Sequence, residues 1–90
     1  MYHLYIIYSE SIDQYYTGHS KNLQDRLTRH NEGKSLATKR GVPWELKFSL
    51  AFDTRSEAIR SEKWIKSMKS RDVVEEVIKG EIELKNILNG

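Results

Sequence analysis

Residues 2–18, YHLYIIYSESIDQYYTG, decide the fold. The run at 2–8 is rich in aromatic and branched residues, which favours a β-strand. Both of its alternating faces are largely apolar, which predicts a strand that is covered on both sides. A polar turn at 9–13 separates it from a second strand at 14–17, which Gly18 is expected to end. The two strands therefore predict an antiparallel hairpin at the N-terminus.

The next two elements are marked by a cap and by a change in apolar spacing. Ser20 or Asn22 can cap a helix that runs to about Asn31, and Gly33 is placed to stop it. Residues 44–52 alternate between apolar and polar side chains, which predicts a third strand with one buried face. That face is expected to carry Trp44, Leu46, Phe48, Leu50 and Phe52.

The C-terminal half predicts helices. Thr54 and Glu57 have the spacing of a capping box, before a helix that reaches about residue 69, and Ser70 can cap another over 71–79. The order ββαβαα predicts an α+β domain over residues 1–79, a three-stranded antiparallel sheet flanked by helices. Residues 80–90 are expected to form a short acidic tail that can be helical.

Composition restricts the class of protein. A length of 90 residues predicts one domain, and the absence of cysteine excludes disulfides, thiolate metal sites and a cysteine nucleophile. The apolar runs are too short to span a bilayer, and the N-terminus lacks the pattern of a signal peptide. We therefore expect a cytoplasmic protein with no membrane partner.

Charge is unevenly distributed along the chain. Residues 1–71 hold 13 Lys and Arg against 8 Asp and Glu, whereas residues 72–90 hold 2 against 5. A basic N-terminal region permits a nucleic-acid partner, but a solvated basic surface explains the same excess.

Several polar side chains fall on stripes that should face the core. Arg26 and His30 lie on or beside the inward stripe of the first helix, and Glu62 lies near the centre of that stripe in the second long helix. Arg26 can extend to solvent at the edge of the core, and His30 can be a hydrogen-bonded, half-buried histidine. Glu62 needs a cation, a metal or hydrogen-bond donors there, and the two alternatives are an ion pair with an arginine such as Arg26 or a hard divalent cation. Tyr5 and Tyr16 either pack across the hairpin or converge beside Arg26.

In order and spacing, this set of residues resembles the motifs of the GIY-YIG nuclease superfamily over residues 2–79. The likeness is strongest to small, stand-alone bacterial proteins related to the nuclease domain of the DNA-repair excinuclease. Leu4 stands in or near the place of the first motif's glycine. The matching stretches are LYII with Tyr5, YYTG with Tyr16 and Gly18, HSKNLQDRLTRHN with Arg26, His30 and Asn31, PWEL and FDTRSEA at the junction of strand and helix, RSEK with Glu62, and KSMKSR.

The resemblance implies a metal-dependent endonuclease that hydrolyses DNA phosphodiester bonds, in repair or recombination. It implies that Glu62 binds Mg²⁺ or Mn²⁺ and that Arg26 clamps the scissile phosphate. Tyr5 would help to deprotonate the attacking water, which requires a nearby cation to lower the pKa of its phenol. Tyr16 would orient water or phosphate, and His30 would hydrogen-bond a phosphate or a tyrosine.

Other residues are expected around this site. The resemblance places Gly18, His19 and Asn31 beside it, and His19 stands where some members carry a lysine. Basic residues of the first helix and of the loop at 33–43 are expected to contact the DNA backbone, with a flexible, solvated loop as the alternative. These residues are Lys21, Arg29, Lys34, Lys39 and Arg40.

Two further functional classes stay open at this stage. One is a nucleic-acid-binding module with weak or no cleavage, and the other is an interaction protein that uses the same fold. The sequence does not distinguish duplex, flap or branched DNA from one another, or DNA from RNA, and it identifies no protein partner.

Overall fold

The N-terminal hairpin forms the middle and one edge of the sheet. A computed structural model describes residues 1–89 and pairs β1 (Tyr2–Ser9) antiparallel with β2 (Gln14–Ser20). On its other side β1 pairs antiparallel with β3 (Trp44–Phe52), so the strand order is β2-β1-β3. The predicted α+β fold with a three-stranded antiparallel sheet is confirmed.

The central strand β1 is covered on both faces, as its two apolar faces predict. Leu4 and Ile6 belong to the larger core cluster, which includes Phe52 of β3. Tyr5 and Ile7 point to the opposite face and belong to a second, smaller cluster. Side chains of successive strand residues therefore enter two different layers, and Tyr5, the candidate site residue of β1, lies in the smaller one.

Gly18 does not end β2, contrary to the expectation from the sequence. The strand continues to Ser20, and Gly18 pairs directly with Tyr5 of β1. A Cβ atom at position 18 would lie 2.6 Å from the Tyr5 hydroxyl oxygen, so only glycine fits beneath this ring without displacing it. The glycine therefore marks a close approach inside the ladder rather than a strand end.

The alternation predicted for β3 is broken by a bulge. Two consecutive β1 residues pair with Phe48 and Leu46, so Lys47 is an extra residue in β3. One inserted residue moves all preceding side chains to the opposite face of the sheet. The single face predicted for β3 was therefore wrong, because Trp44 packs in the smaller cluster with Tyr5 and not with Phe48.

Four helices cover the two faces. Their bounds are α1 Leu23–Asn31, α2 Arg55–Met68, α3 Arg71–Lys79 and α4 Leu84–Asn89. Leucines of α1 pack on the smaller cluster, and buried residues of the other three helices belong to the larger one. Asn22 rather than Ser20 provides the cap of α1, and the capping box of Thr54 and Glu57 is present at α2.

The segment after α3 packs onto the domain. Leu84 opens α4 and is buried in the larger cluster, whereas the sequence predicted an acidic tail at 80–90 that can be helical, without predicting that it packs on the core. The last residue of that tail, Gly90, lies outside the described residues. Among residues 1–89, none of the helices is both long enough and apolar enough to cross a membrane.

Candidate active site

The candidate site surrounds the edge strand β2, where the layer of α1 meets the layer of α2. Tyr5 and Tyr16 lie on the α1 side of the sheet, in or against the cluster that Leu23 and Leu27 of α1 cover. Glu62 approaches the same edge from α2, where its carboxylate contacts a β2 side chain. The sheet edge therefore brings together residues that are up to 57 positions apart in the chain.

A chain of hydrogen bonds fixes the buried part of the site. The Tyr5 hydroxyl lies 2.8 Å from Nε2 of His30, and Nδ1 of His30 lies 2.7 Å from Oγ1 of Thr38. Tyr5 and His30 are each only 2% exposed. Burial, and then the charge of Arg26, lower the pKa of His30, so its imidazole is neutral at pH 7. A neutral imidazole donates through one nitrogen and accepts through the other, so one of the two hydroxyls donates to His30 and the other accepts from it.

The pKa of Tyr5 shifts in the direction opposite to the one its expected role as a base requires. Burial raises the pKa of this phenol most, the neighbouring Tyr16 raises it further, and Arg26 lowers it by less. The side chains of the protein therefore keep Tyr5 protonated at neutral pH. The role as a base requires a nearby cation that lowers the pKa of this phenol, and Arg26, the nearest candidate in the chain itself, does not lower it enough to offset burial.

Glu62 is held by two cationic or potentially cationic partners, and neither of them is Arg26. Its Oε1 lies 2.6 Å from Nδ1 of His19, and its Oε2 accepts a hydrogen bond of 2.7 Å from Nζ of Lys66. Burial raises the pKa of this carboxyl, but the hydrogen bonds from Lys66 and His19 outweigh burial and hold the pKa below its usual range. Glu62 is therefore an ionised carboxylate with a side chain 19% exposed.

Lys66 joins the two sides of the site, and the sequence pattern alone did not single it out. Besides its bond to Glu62, its ammonium lies 5.4 Å from the centre of the Tyr16 ring, within the range of a cation–π contact. The spacing of four residues between Glu62 and Lys66 on a helix could have indicated this pair. Thr38 was missed as well, because only the tertiary fold brings the loop to His30.

Arg26 lies on the surface of the site and faces two cavities. One, of about 300 Å³, also involves His19 and Lys21, and the other, of about 220 Å³, involves Tyr16 and His30. Arg26 forms no ion pair with any residue in 1–89. Its guanidinium is therefore available for an anionic ligand on either side.

The two remaining residues that the sequence placed beside the site have structural contacts. Asn31 donates from Nδ2 to the Trp44 carbonyl at 3.1 Å and accepts from the Trp44 amide at 2.5 Å, which fixes β3 against the end of α1. Gly18 provides the space for the Tyr5 ring. Both residues hold other parts of the site in position and have structural roles.

The basic residues predicted to contact DNA divide into two groups. Lys21, Arg29 and Lys34 line the two cavities that Arg26 also lines. Lys34 additionally pairs with Glu32 at 3.2 Å, in a contact that is exposed to solvent. Lys39 and Arg40 form an exposed turn of 3-10 helix further along the loop. Binding of DNA by either group stays a prediction.

The donor set fits a metal ion that is held mostly by water and substrate. Residues 1–89 contain no group of three His, Asp or Glu side chains that could enclose a metal. Glu62 is the ionised carboxylate of the site, and Mg²⁺ commonly binds one or two carboxylates with waters and phosphate oxygens as its other ligands. An ion at Glu62 would have to replace the contact with His19 or with Lys66.

The chain is similar to a protein family and to several known proteins. The model of the GIY-YIG catalytic domain matches residues 1–74. A UPF0213 protein of Halobacterium salinarum is 39% identical over 69 residues, which cover 76% of this chain and 88% of that protein. The UPF0213 protein YazA of Bacillus subtilis is 31% identical over 73% of this chain and 68% of its own length.

A solved structure shows the same likeness in three dimensions. The solution NMR structure of a UPF0213 protein from Bacillus halodurans superposes with a TM-score of 0.56 at 30% identity. The match covers 88% of this chain and 84% of that one. The order of motifs, the sheet and the matched family model lead to one conclusion: the chain belongs to the GIY-YIG family, among the small UPF0213 proteins.

Proposed function

We propose that this chain is a divalent-metal-dependent endonuclease that hydrolyses DNA phosphodiester bonds, in the cytoplasm and in repair or recombination. Membership of the GIY-YIG family indicates a nuclease-type protein with a nucleic-acid substrate. The observation that carries the proposal is the convergence of five side chains at the β2 edge. These are Tyr5, Tyr16, Arg26, His30 and Glu62, which the family resemblance singled out from the sequence.

The carboxylate of Glu62 is the proposed ligand for Mg²⁺ or Mn²⁺. Once bound, such an ion supplies a Lewis acid that polarises the scissile phosphate and stabilises the leaving oxygen. The low pKa of Glu62 keeps the ligand ionised at neutral pH. His19 and Lys66 hold this carboxylate in place at the sheet edge.

The other residues bind the phosphate and move the proton. Arg26, which lacks an ion-pair partner among residues 1–89, would bind the phosphate oxygens and offset the charge that grows in the transition state. The hydrogen bond of 2.8 Å from Tyr5 to His30 favours a relay instead of a phenolate base. Tyr5 would accept a proton from the attacking water as its own hydroxyl proton passes to His30 Nε2. Tyr16 would orient the water or the phosphate.

Cleavage assays with a matched variant test this proposal. A panel of duplex, single-stranded, flap and branched DNA is incubated with wild type and with Glu62→Gln, purified identically, in Mg²⁺ or Mn²⁺. We expect cleavage by wild type only, because an amide of the same shape lacks the charge that binds the ion. Mn²⁺ should raise the melting temperature of wild type and leave that of Glu62→Gln unchanged. Equal cleavage by both proteins would show a contaminating nuclease and contradict the proposal.

A nucleic-acid-binding module with little or no cleavage is the second candidate. It is favoured by the closed state of the site, in which both oxygens of Glu62 are bonded and the phenol of Tyr5 is kept protonated. This function would appear as the absence of cleavage of the same DNA panel in either metal, together with salt-sensitive DNA binding by wild type in a separate binding assay.

A further inference from the structure

Neither the family motifs nor the comparisons assign a function to a cavity that lies beside the proposed catalytic residues. It has a volume of about 300 Å³ and lies where β2, the start of α1 and the start of α2 meet. Its lining residues are Tyr2, His19, Ser20, Lys21, Arg26 and Arg55. It adjoins the candidate metal ligand, because His19 in its wall contacts Glu62 at 2.6 Å.

The charges around this cavity are all of one sign. Lys21, Arg26 and Arg55 line it together, and no carboxylate does. None of these three cations takes part in an ion pair with another residue of 1–89. Three positive groups around one small space repel each other, and an anion bound between them removes that repulsion. The electrostatic complement of the cavity is therefore an anion, and its volume of about 300 Å³ leaves room for a phosphate group.

Arg55 is the member of this set that local structure does not explain. It is the first residue of α2, where a positive side chain meets the positive end of the helix dipole unfavourably. The helix start is already satisfied by its capping box: Thr54 Oγ1 accepts from the Glu57 amide, and the Glu57 carboxylate accepts from the Thr54 amide. An arginine here therefore adds nothing to the helix, and its side chain is free to face the cavity.

We propose that Arg55, together with Lys21, binds the backbone phosphate that neighbours the scissile phosphate. This inference rests on the proposed function, since it takes the ligand to be the same DNA strand. Arg26 lines both this cavity and the one that contains Tyr16 and His30, so it lies between the two. A strand that crosses Arg26 places one phosphate on each side. Arg55 is thus a substrate-binding residue outside the five that the family motifs supply.

The first test measures DNA binding without metal, so that no cleavage occurs. Affinity for a labelled duplex or branched DNA is measured against salt concentration for wild type, Arg55→Ala, Arg55→Lys and Lys63→Ala. Lys63 is the matched control, because it is a cation of the same helix that lines a different cavity, beside Trp64. We expect Arg55→Ala to weaken binding about 5- to 10-fold in 0.1 M salt and to lower the salt slope by about 0.9, as for one lost phosphate contact.

The controls separate binding from stability. Arg55→Lys should keep most of the slope, because it keeps the charge, and Lys63→Ala should match wild type. The melting temperature of Arg55→Ala should be unchanged or higher, since the substitution removes a charge that opposes the helix dipole. A lower melting temperature with an unchanged salt slope would assign Arg55 a structural role and overturn the inference.

A second measurement locates the phosphate. Single phosphates around the cleavage position are replaced one at a time by neutral methylphosphonates, and binding by wild type and Arg55→Ala is compared. A position whose replacement weakens wild type but not Arg55→Ala supports the assignment, and the absence of any such position contradicts it. If wild type shows no salt-dependent DNA binding at all, both the proposed function and this inference are overturned. If wild type binds and Arg55→Ala has the same slope, only this inference is.

Discussion

Two residues of the site show how burial and neighbouring charges shift the pKa of a side chain in opposite directions. Burial, and after it the neighbouring phenol of Tyr16, raise the pKa of Tyr5 more than Arg26 lowers it. Glu62 is less buried and has two donors on its oxygens, so its pKa falls in spite of partial burial. Tyr5, which passes on a proton in the proposed mechanism, is thus held neutral, whereas Glu62, the proposed metal ligand, is held ionised. Because Tyr5 is held protonated, we propose that its own hydroxyl proton passes to His30, which is the final proton acceptor.

His30 makes the stability of the fold depend on pH, and the sign follows from its environment. Its pKa is lowered in the folded protein by burial and by Arg26, so below about pH 6.5 the unfolded chain binds more protons than the folded one. The free energy of unfolding therefore falls as the pH falls, by at most about 1.4 kcal/mol per pH unit for one group. Urea unfolding of wild type and His30→Gln between about pH 7.5 and pH 5 measures this slope, which should be smaller in the variant.

Thr38→Val is the control for this slope. It removes the hydroxyl that lies 2.7 Å from His30 and leaves the imidazole in place, so it should lower stability while keeping the acid dependence. An acid slope in His30→Gln as steep as in wild type would show that other groups produce it.

At this scale the sequence identified the residues but not their partners. Arg26, His30 and Glu62 stood out because polar residues on an apolar stripe need an explanation, and the family motifs connected them to Tyr5. The contact between Glu62 and His19 was not found, because a contact across 43 positions depends on how α2 lies over β2. Lys66 lies only four residues from Glu62 on α2, and that spacing could have indicated the pair. Arg55 was missed for a similar reason: its capping-box neighbours explained that segment locally, and the cavity exists only in the folded chain.

Whole elements were predicted well where a local signal defines them. Some signals depend on only a few neighbouring residues. These are the caps at Asn22 and Thr54 and the apolar runs of the hairpin, and they agree with the helices and strands of the structure. The errors occur in β2 and β3, where pairing with β1 decides the outcome. The bulge at Lys47 reverses the faces of the strand, and nothing in an alternating sequence reveals an extra residue.

The capping box of α2 is expected to support the site through this helix, which carries Arg55, Glu62 and Lys66. Thr54→Ala removes the oxygen that accepts the Glu57 amide at 3.2 Å and should lower the free energy of unfolding by about 1 kcal/mol. Ser56→Ala is the control, since Ser56 is exposed in the same turn. Urea unfolding compares the two variants, and losses of equal size would show that the box does not stabilise α2.

At the scale of the molecule, the domain extends beyond the segment that carries its family motifs. The family model ends at residue 74, but the larger core cluster is completed by Val77 of α3 and by Leu84 of α4. The sequence EIELKNILNG allowed a short helix but did not show that Leu84 is buried, because its acidic charge favours a solvated tail and its packing partners lie far away in the chain. A chain of 90 residues has a small core, so one buried leucine near the C-terminus accounts for a substantial part of it.

Leu84 should therefore be as important for stability as a residue of the central strand. It is 2% exposed and packs in the cluster of Leu4, Ile6 and Phe52, so Leu84→Ala should cost about 2–4 kcal/mol. A domain of this length has a total stability of about 5–13 kcal/mol, so the loss is a large fraction of it. Ile87→Ala, in the same helix but 39% exposed, should cost less than about 1 kcal/mol. Denaturant unfolding of the full chain compares both variants. If Leu84→Ala costs no more than Ile87→Ala, α4 does not complete the core, and the stable domain ends with α3.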